Sequence, residues 1–202
     1  FRLAQYPGGA EVDGSWAEIP LLARDFTEVE PVSDEVFELY RSQFDYDSAP
    51  LDARVESERS FPYFTAQLVS YSGVGWGRIE GILLIPEGIA PPYQTLILFS
   101  GTASVYSGAI DLEGSGVPPL AVDLTRSGRA FFLPVLRGTY QRQDDVDTTW
   151  PNETRRYVDY VRSWVSEFKR SVDYLESRED IDMNKLAYFG TSWGGRMGAI
   201  IP

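Results

Sequence analysis

Apolar and polar residues alternate along this chain in stretches of distinct period, and those periods predict its elements. From Ser33 onward, Val36, Phe37, Leu39, Tyr40 and Phe44 recur at helical spacing behind a possible serine cap and the acidic pair Asp34 and Glu35, which predicts a helix over residues 34–43. Residues 45–60 read as polar and turn-rich. Two strand-like runs follow at 63–71 and 77–85, divided by the glycine-rich stretch 72–75, and together they predict a β-hairpin. Residues 95–100 and 130–136 are continuous apolar runs of the kind buried on both faces of a sheet. A helix is expected at 118–126, opened by prolines and closed by Gly128. The longest helical pattern spans 153–176, with Tyr157, Tyr160, Val161, Trp164, Val165, Phe168, Val172 and Leu175 along one side. A short strand at 186–190 then runs into a helix over 194–200. A hairpin followed by strand, helix, strand, helix, strand, helix predicts an α/β sheet that is parallel after its first strands.

Composition narrows the function. The chain has 202 residues and a formal charge of −12, with no cluster of lysine and arginine, so a phosphate backbone would be repelled and nucleic acid is excluded as a partner. Cysteine is absent, which removes disulfides, thiolate metal sites and a cysteine nucleophile and leaves the compartment open. The apolar runs are too short to span a bilayer. Histidine is also absent, so neither a histidine base nor a histidine-ligated metal can be built from these residues. Asp144, Asp145 and Asp147 read as an acidic surface loop rather than a metal site, and no metal or cofactor is assigned.

The chemistry centres on Gly190-Thr191-Ser192-Trp193-Gly194. A serine in a Gly-x-Ser-x-Gly turn between a strand and a helix is held on a strained backbone with its hydroxyl above the sheet, and side chains two residues to either side would collide unless they are hydrogens. The run 185–189 supplies the strand, and Gly194, Gly195 and Gly198 supply small residues for a helix packed close to it. That context favours a nucleophile, Ser192, over a glycine-rich turn with an incidental serine. The backbone N–H of Trp193 is then one oxyanion donor, and the loop Ser100-Gly101-Thr102-Ala103-Ser104 supplies the second, with Thr102 as the candidate. Arg137-Gly138 either lines the pocket or forms a turn beside a solvated arginine. Lys169 and Lys185 are the only lysines and read as exposed, which argues against a serine–lysine pair.

These residues resemble α/β-hydrolases of the dipeptidyl aminopeptidase/acylaminoacyl-peptidase and acetyl xylan esterase type. The similarity runs from Arg78-Ile79-Glu80-Gly81 and Leu84-Ile85-Pro86 through the strand and loop at 96–101, Leu133-Pro134-Val135 and Arg137-Gly138-Thr139. It continues with Arg170-Ser171-Val172-Asp173-Tyr174-Leu175, Ile181-Asp182 and Leu186-Ala187-Tyr188-Phe189-Gly190 to the serine turn. It looks closest to hydrolase domains at the C-terminal end of bacterial multidomain serine/threonine protein kinases, where segments like Phe44-Asp45-Tyr46-Asp47 and Pro50-Leu51-Asp52-Ala53-Arg54-Val55-Glu56 precede the hydrolase. Phe1-Arg2-Leu3 resembles the end of a formylglycine-generating type domain.

The resemblance implies an α/β-hydrolase fold, a mostly parallel sheet with flanking helices, truncated after the nucleophile elbow. Residues 1–31 would be a linker or the tail of an upstream domain, 32–60 a helical connector, and 61–202 the N-terminal part of the hydrolase domain. It further implies a serine hydrolase acting on a small-molecule ester or peptide through an acyl-enzyme. The chain order in such enzymes is serine, then Asp or Glu, then His, so the acid and the base are expected from the remainder of the protein, and residues 1–202 alone are expected to be inactive and to aggregate. The alternative is a catalytically silent hydrolase-like module that binds or regulates.

Overall fold

In a computed structural model of the chain, the structure describes residues 27–75, 77–112 and 117–201. Most of the expected 1–31 linker therefore lies outside the described residues. Two compact units divide at Phe37 and Glu38. At the end of the first, Ser33 Oγ accepts the Val36 N–H at 3.4 Å and Ser33 O accepts the Phe37 N–H at 2.9 Å, opening α1 (Asp34–Arg41). None of the residues of α1 is buried, and its apolar stripe, Val36, Phe37, Leu39 and Tyr40, stands exposed.

The second unit is built on six strands, β1 (Arg54–Ser60), β2 (Phe64–Ser72), β3 (Arg78–Pro86), β4 (Tyr93–Phe99), β5 (Ala130–Val135) and β6 (Ile181–Gly190), in the order β1-β2-β3-β5-β4-β6. The helices are α2 (Ala103–Tyr106), α3 (Pro119–Arg126), α4 (Arg155–Glu176) and α5 (Trp193–Met197). The hairpin expected from the alternating pattern is β2 and β3, in register from Phe64 opposite Pro86 to Ser72 opposite Arg78. β3 pairs antiparallel with β5, while β4 pairs parallel with β5 on one side and with β6 on the other.

The segment 45–60, read as turn-rich connector, instead contains β1, which pairs antiparallel with β2 from Arg54 opposite Ser70 to Ser60 opposite Thr65. All seven of its residues are exposed, so no apolar alternation betrays it. The ladder to β2 and polar cross-strand pairs hold it instead: Ser70 donates to Glu56, and Gln67 Nε2 donates to Glu58 Oε2 at 2.6 Å.

Helices cover both faces of the sheet, which is why β5 is apolar at every position and buried throughout. On one face Tyr71, Phe99 and Phe132 pack against Trp164, Phe168, Tyr174 and Leu175 of α4. On the other, Ile82, Leu84, Phe131 and Leu133 pack with Ala121 of α3. Thr154 caps α4, its hydroxyl accepting the Tyr157 N–H at 3.2 Å. Fully buried Glu167 of α4 accepts from Arg142 at Nη1 and Nη2, each at 2.7 Å, and from the Arg137 N–H at 2.7 Å, so a buried ion pair fastens the loop after β5 to the helix.

Candidate active site

The strand order places the site. The chain leaves β4 for β5 on one side of it and crosses back through α4 to β6 on the other, so the carboxyl ends of β4 and β6 lie side by side where the winding reverses. Crevices at such ends are where open α/β sheets bind ligands. The ladder brings Phe99 opposite Gly190, so the loop after β4 and the turn after β6 leave the sheet together.

The turn after β6 has the strain expected of it. Ser192 sits at φ 53°, ψ −111°, immediately before α5, and its side chain is exposed. A non-glycine residue in this region is held there by its surroundings. Those surroundings demand glycine on both sides: a Cβ on Gly190 would lie 2.4 Å from the Gly194 carbonyl, and one on Gly194 would lie 2.1 Å from the Phe99 carbonyl oxygen. The 2.9 Å bond from the Gly194 N–H to Thr191 O closes the turn.

Trp193 and Tyr188 clamp it. The Trp193 ring is buried, edge-on to Phe99 at 5.0 Å and to Trp164 at 4.6 Å between centroids. Its backbone N–H is the first of α5, where no intrahelical acceptor exists. Tyr188, four residues before the serine, donates its hydroxyl to the Gly194 carbonyl, and burial pushes its pKa up to about 12.

The loop after β4 reaches this turn. A Cβ on Gly101 would lie 3.8 Å from Ser192 Cβ, which places Gly101 against the serine and Thr102 next in the chain. Ser100 Oγ lies 3.0 Å from Tyr140 Oη, and Thr102 Oγ1 lies 2.7 Å from Thr149 Oγ1, tying this loop to the one after β5. The three residues singled out from the sequence, Ser192, Trp193 and Thr102, thus stand in one place.

Other expectations resolve differently. Arg137 is not a solvated turn residue; its Nε lies 2.5 Å from Asp144 Oδ2 and its guanidinium 4.5 Å from the centre of the Tyr160 ring. Asp144 is thereby engaged, and among the described residues no group of three or more acidic side chains is placed to hold a metal ion. Lys169 is half-buried rather than exposed, bonded to Phe44 O at 3.2 Å, whereas Lys185 is exposed and pairs with Asp182 at 2.9 Å. Among the described residues Ser192 Oγ has no hydrogen-bond partner. No helix among them is long and apolar enough to cross a membrane.

Sequence reasoning missed Arg196, Thr149, Trp150 and Tyr157. Arg196 lies one helical turn after Ser192 and donates to the Thr149 carbonyl, its charge opposes the rise that burial gives the Tyr157 pKa, and its guanidinium is 5.0 Å from the centre of the Trp150 ring. The four-residue spacing from Ser192 was a signal for Arg196 alone; nothing in the sequence signalled the approach of Thr149, Trp150 and Tyr157.

No protein-family model matches the chain, and no curated protein does. Solved structures do. An acetyl xylan esterase from Paenibacillus sp. R4 superposes with a TM-score of 0.56 at 23% identity, over 81% of this chain and 52% of that one. Acetyl xylan esterase 1 from Thermoanaerobacterium sp. JW/SL YS485 gives 0.60 at 18%, over 83% and 53%. This is the α/β-hydrolase fold. A glucuronoyl esterase from Solibacter usitatus shares it, with a TM-score of 0.54 at 14% identity over 84% of this chain and 54% of that one. The chain spans about half the length of these α/β-hydrolases.

Proposed function

We propose that Ser192 is the nucleophile of a serine hydrolase that cleaves a carboxylic ester or amide through an acyl-enzyme. The observation that carries this reading is the backbone of Ser192, forced to positive φ between two glycines that admit no side chain. Such strain persists where it serves a function.

The Ser192 hydroxyl adds to the substrate carbonyl carbon as its proton passes to a general base. The oxyanion that forms accepts from the backbone N–H groups of Trp193 and Thr102. Collapse expels the alcohol or amine, which takes the proton from the base, and water then releases the acid by the same route. With no histidine in the 202 residues, the base is a group from outside them. The raised pKa values of Tyr188, Tyr157 and Tyr140, each set first by burial, keep those hydroxyls protonated and unsuited to the task. The esterase neighbours favour an ester over a peptide at the level of fold. The similarity of residues 44–56 to kinase-linked hydrolases makes a place in such a multidomain chain part of the same proposal.

The test is labelling of the full-length protein with a fluorophosphonate, which reports an activated serine without knowledge of substrate. Labelling that disappears in Ser192→Ala is the expected result. A folded wild-type protein that does not label refutes the nucleophile assignment and leaves a binding module.

A further inference from the structure

Arg196 is partly buried, and among the described residues it has no carboxylate partner. Exposed arginines such as Arg126, Arg129 and Arg162 also lack one, but the other described arginines that are at least partly buried, Arg78, Arg137, Arg142, Arg170 and Arg178, all pair with Asp or Glu within 3.1 Å, in a chain of 30 acidic and 18 basic residues. Its position is fixed relative to the serine. The Arg196 N–H donates to Ser192 O at 3.1 Å, and residues four apart on a helix stand one above the other with side chains leaning toward the N-terminal end. The guanidinium is brought to the Ser192 side by its bond to the carbonyl of Thr149, whose hydroxyl meets Thr102 next to Gly101.

Its surroundings hold it without neutralising it. It donates to the Thr149 carbonyl, which is uncharged, stands near the neutral Tyr157 hydroxyl, and faces the ring of Trp150. Trp150 is 72% exposed, a flat apolar wall open to solvent. Thr149 is the residue whose hydroxyl meets Thr102, so guanidinium, indole and oxyanion loop share one rim. A guanidinium has five N–H donors in a planar fork, and the bond to the Thr149 carbonyl leaves donors for a carboxylate, which such a fork binds more tightly than any neutral acceptor.

We propose that Arg196 and Trp150 form an acid-recognising subsite beside Ser192, so that the ester taken by this site carries a free carboxylate a few bonds from its scissile carbonyl. The substrate class rests on the reading of Ser192 as nucleophile; the binding of the acid does not. The carboxylate docks on the fork of Arg196, the carbon chain lies against Trp150, and the carbonyl reaches the Ser192 hydroxyl.

The test uses full-length protein carrying Ser192→Ala, which cannot turn over, titrated calorimetrically with monomethyl succinate and with its neutral counterpart dimethyl succinate. Expected is roughly tenfold or greater preference for the monoester, a charge-assisted pair against a neutral one. Adding Arg196→Gln abolishes that preference, Arg196→Lys retains part of it because the charge stays while the fork is lost, and Trp150→Ala weakens both probes alike. No preference in Ser192→Ala, including no binding of either probe, overturns the subsite, as does a preference that survives Arg196→Gln. The two readings fail separately: preference without Ser192-dependent fluorophosphonate labelling removes the nucleophile and leaves the acid subsite, and labelling without preference does the reverse.

Discussion

Gly194→Ala sets two effects of opposite sign against each other. Gly194 lies in α5, where alanine is a better helix former than glycine by about 1 kcal/mol. Propensity alone therefore predicts a more stable protein. Against this, the new methyl would lie 2.1 Å from the Phe99 oxygen and 2.9 Å from its carbon, both backbone atoms of a strand end that cannot swing aside. Relief requires β4 and the elbow to separate by roughly 1 Å, and overpacking of this kind costs about 1–3 kcal/mol. The clash offsets the propensity gain, for a net loss of up to about 2 kcal/mol in the unfolding free energy of the full-length protein, read from urea unfolding. The chemistry loses more, because a displacement of about 1 Å in a reacting group lowers rates on the order of 100-fold. The assay is the fluorophosphonate labelling rate, with Gly195→Ala as the control. A Cβ on Gly195 approaches only to 3.3 Å of Gly190 O, so that variant should label within a few-fold of wild type. A Gly194→Ala protein that is more stable than wild type and labels at the same rate would refute the packing argument.

Ser192→Gly relieves the positive φ and should raise stability by about 1 kcal/mol while eliminating labelling; an unchanged unfolding midpoint counts against strain at the turn. Glu167→Gln leaves the Arg142 guanidinium buried without its countercharge and should cost about 3–5 kcal/mol in urea unfolding, while replacing both partners by apolar residues costs far less. The tyrosine at 188 has a folded pKa raised by burial to about 12, so its contribution is full below pH about 10 and is lost as pH rises toward 12. Tyr188→Phe should flatten part of the alkaline fall in stability, measured by urea unfolding between those pH values, and an identical pH profile would exclude Tyr188 from it.

What was legible in the sequence were the elements whose burial leaves a periodic trace. The hairpin of β2 and β3, the apolar runs of β4 and β5, and the long stripe of α4 all bury one or both faces, and their patterns say so. β1 buries neither face, so its Glu, Ser and Arg residues look like a loop until β2 supplies the ladder. The first half of β6 was missed for a related reason: Asp182, Asn184 and Lys185 lie in a strand whose outward side is open, and strand register came from β4 rather than from burial. The strand order itself leaves no local signature. At the site, the serine turn was readable because its glycines answer a steric demand within five residues. Arg196 and Trp150 were not, since their meeting depends on a loop of residues 143–154 folding back over α5, a tertiary event that no spacing encodes.

The polarity of β1 gives this sheet a direction of growth. Charges point from both of its faces, a register shift breaks its pairing between Val55 and Ser57, and such an edge resists extension by another strand. The opposite margin, β6, has its charges, Asp182 and Lys185, and its register shift only in its first half, while residues 186–190 are uncharged and pair without interruption from Thr95 opposite Leu186 to Phe99 opposite Gly190. Any strand that joins this sheet, from the same polypeptide or another, is therefore steered to the margin that carries Ser192. The margin of the sheet open to a further strand is thus the margin at which the Ser192 turn stands.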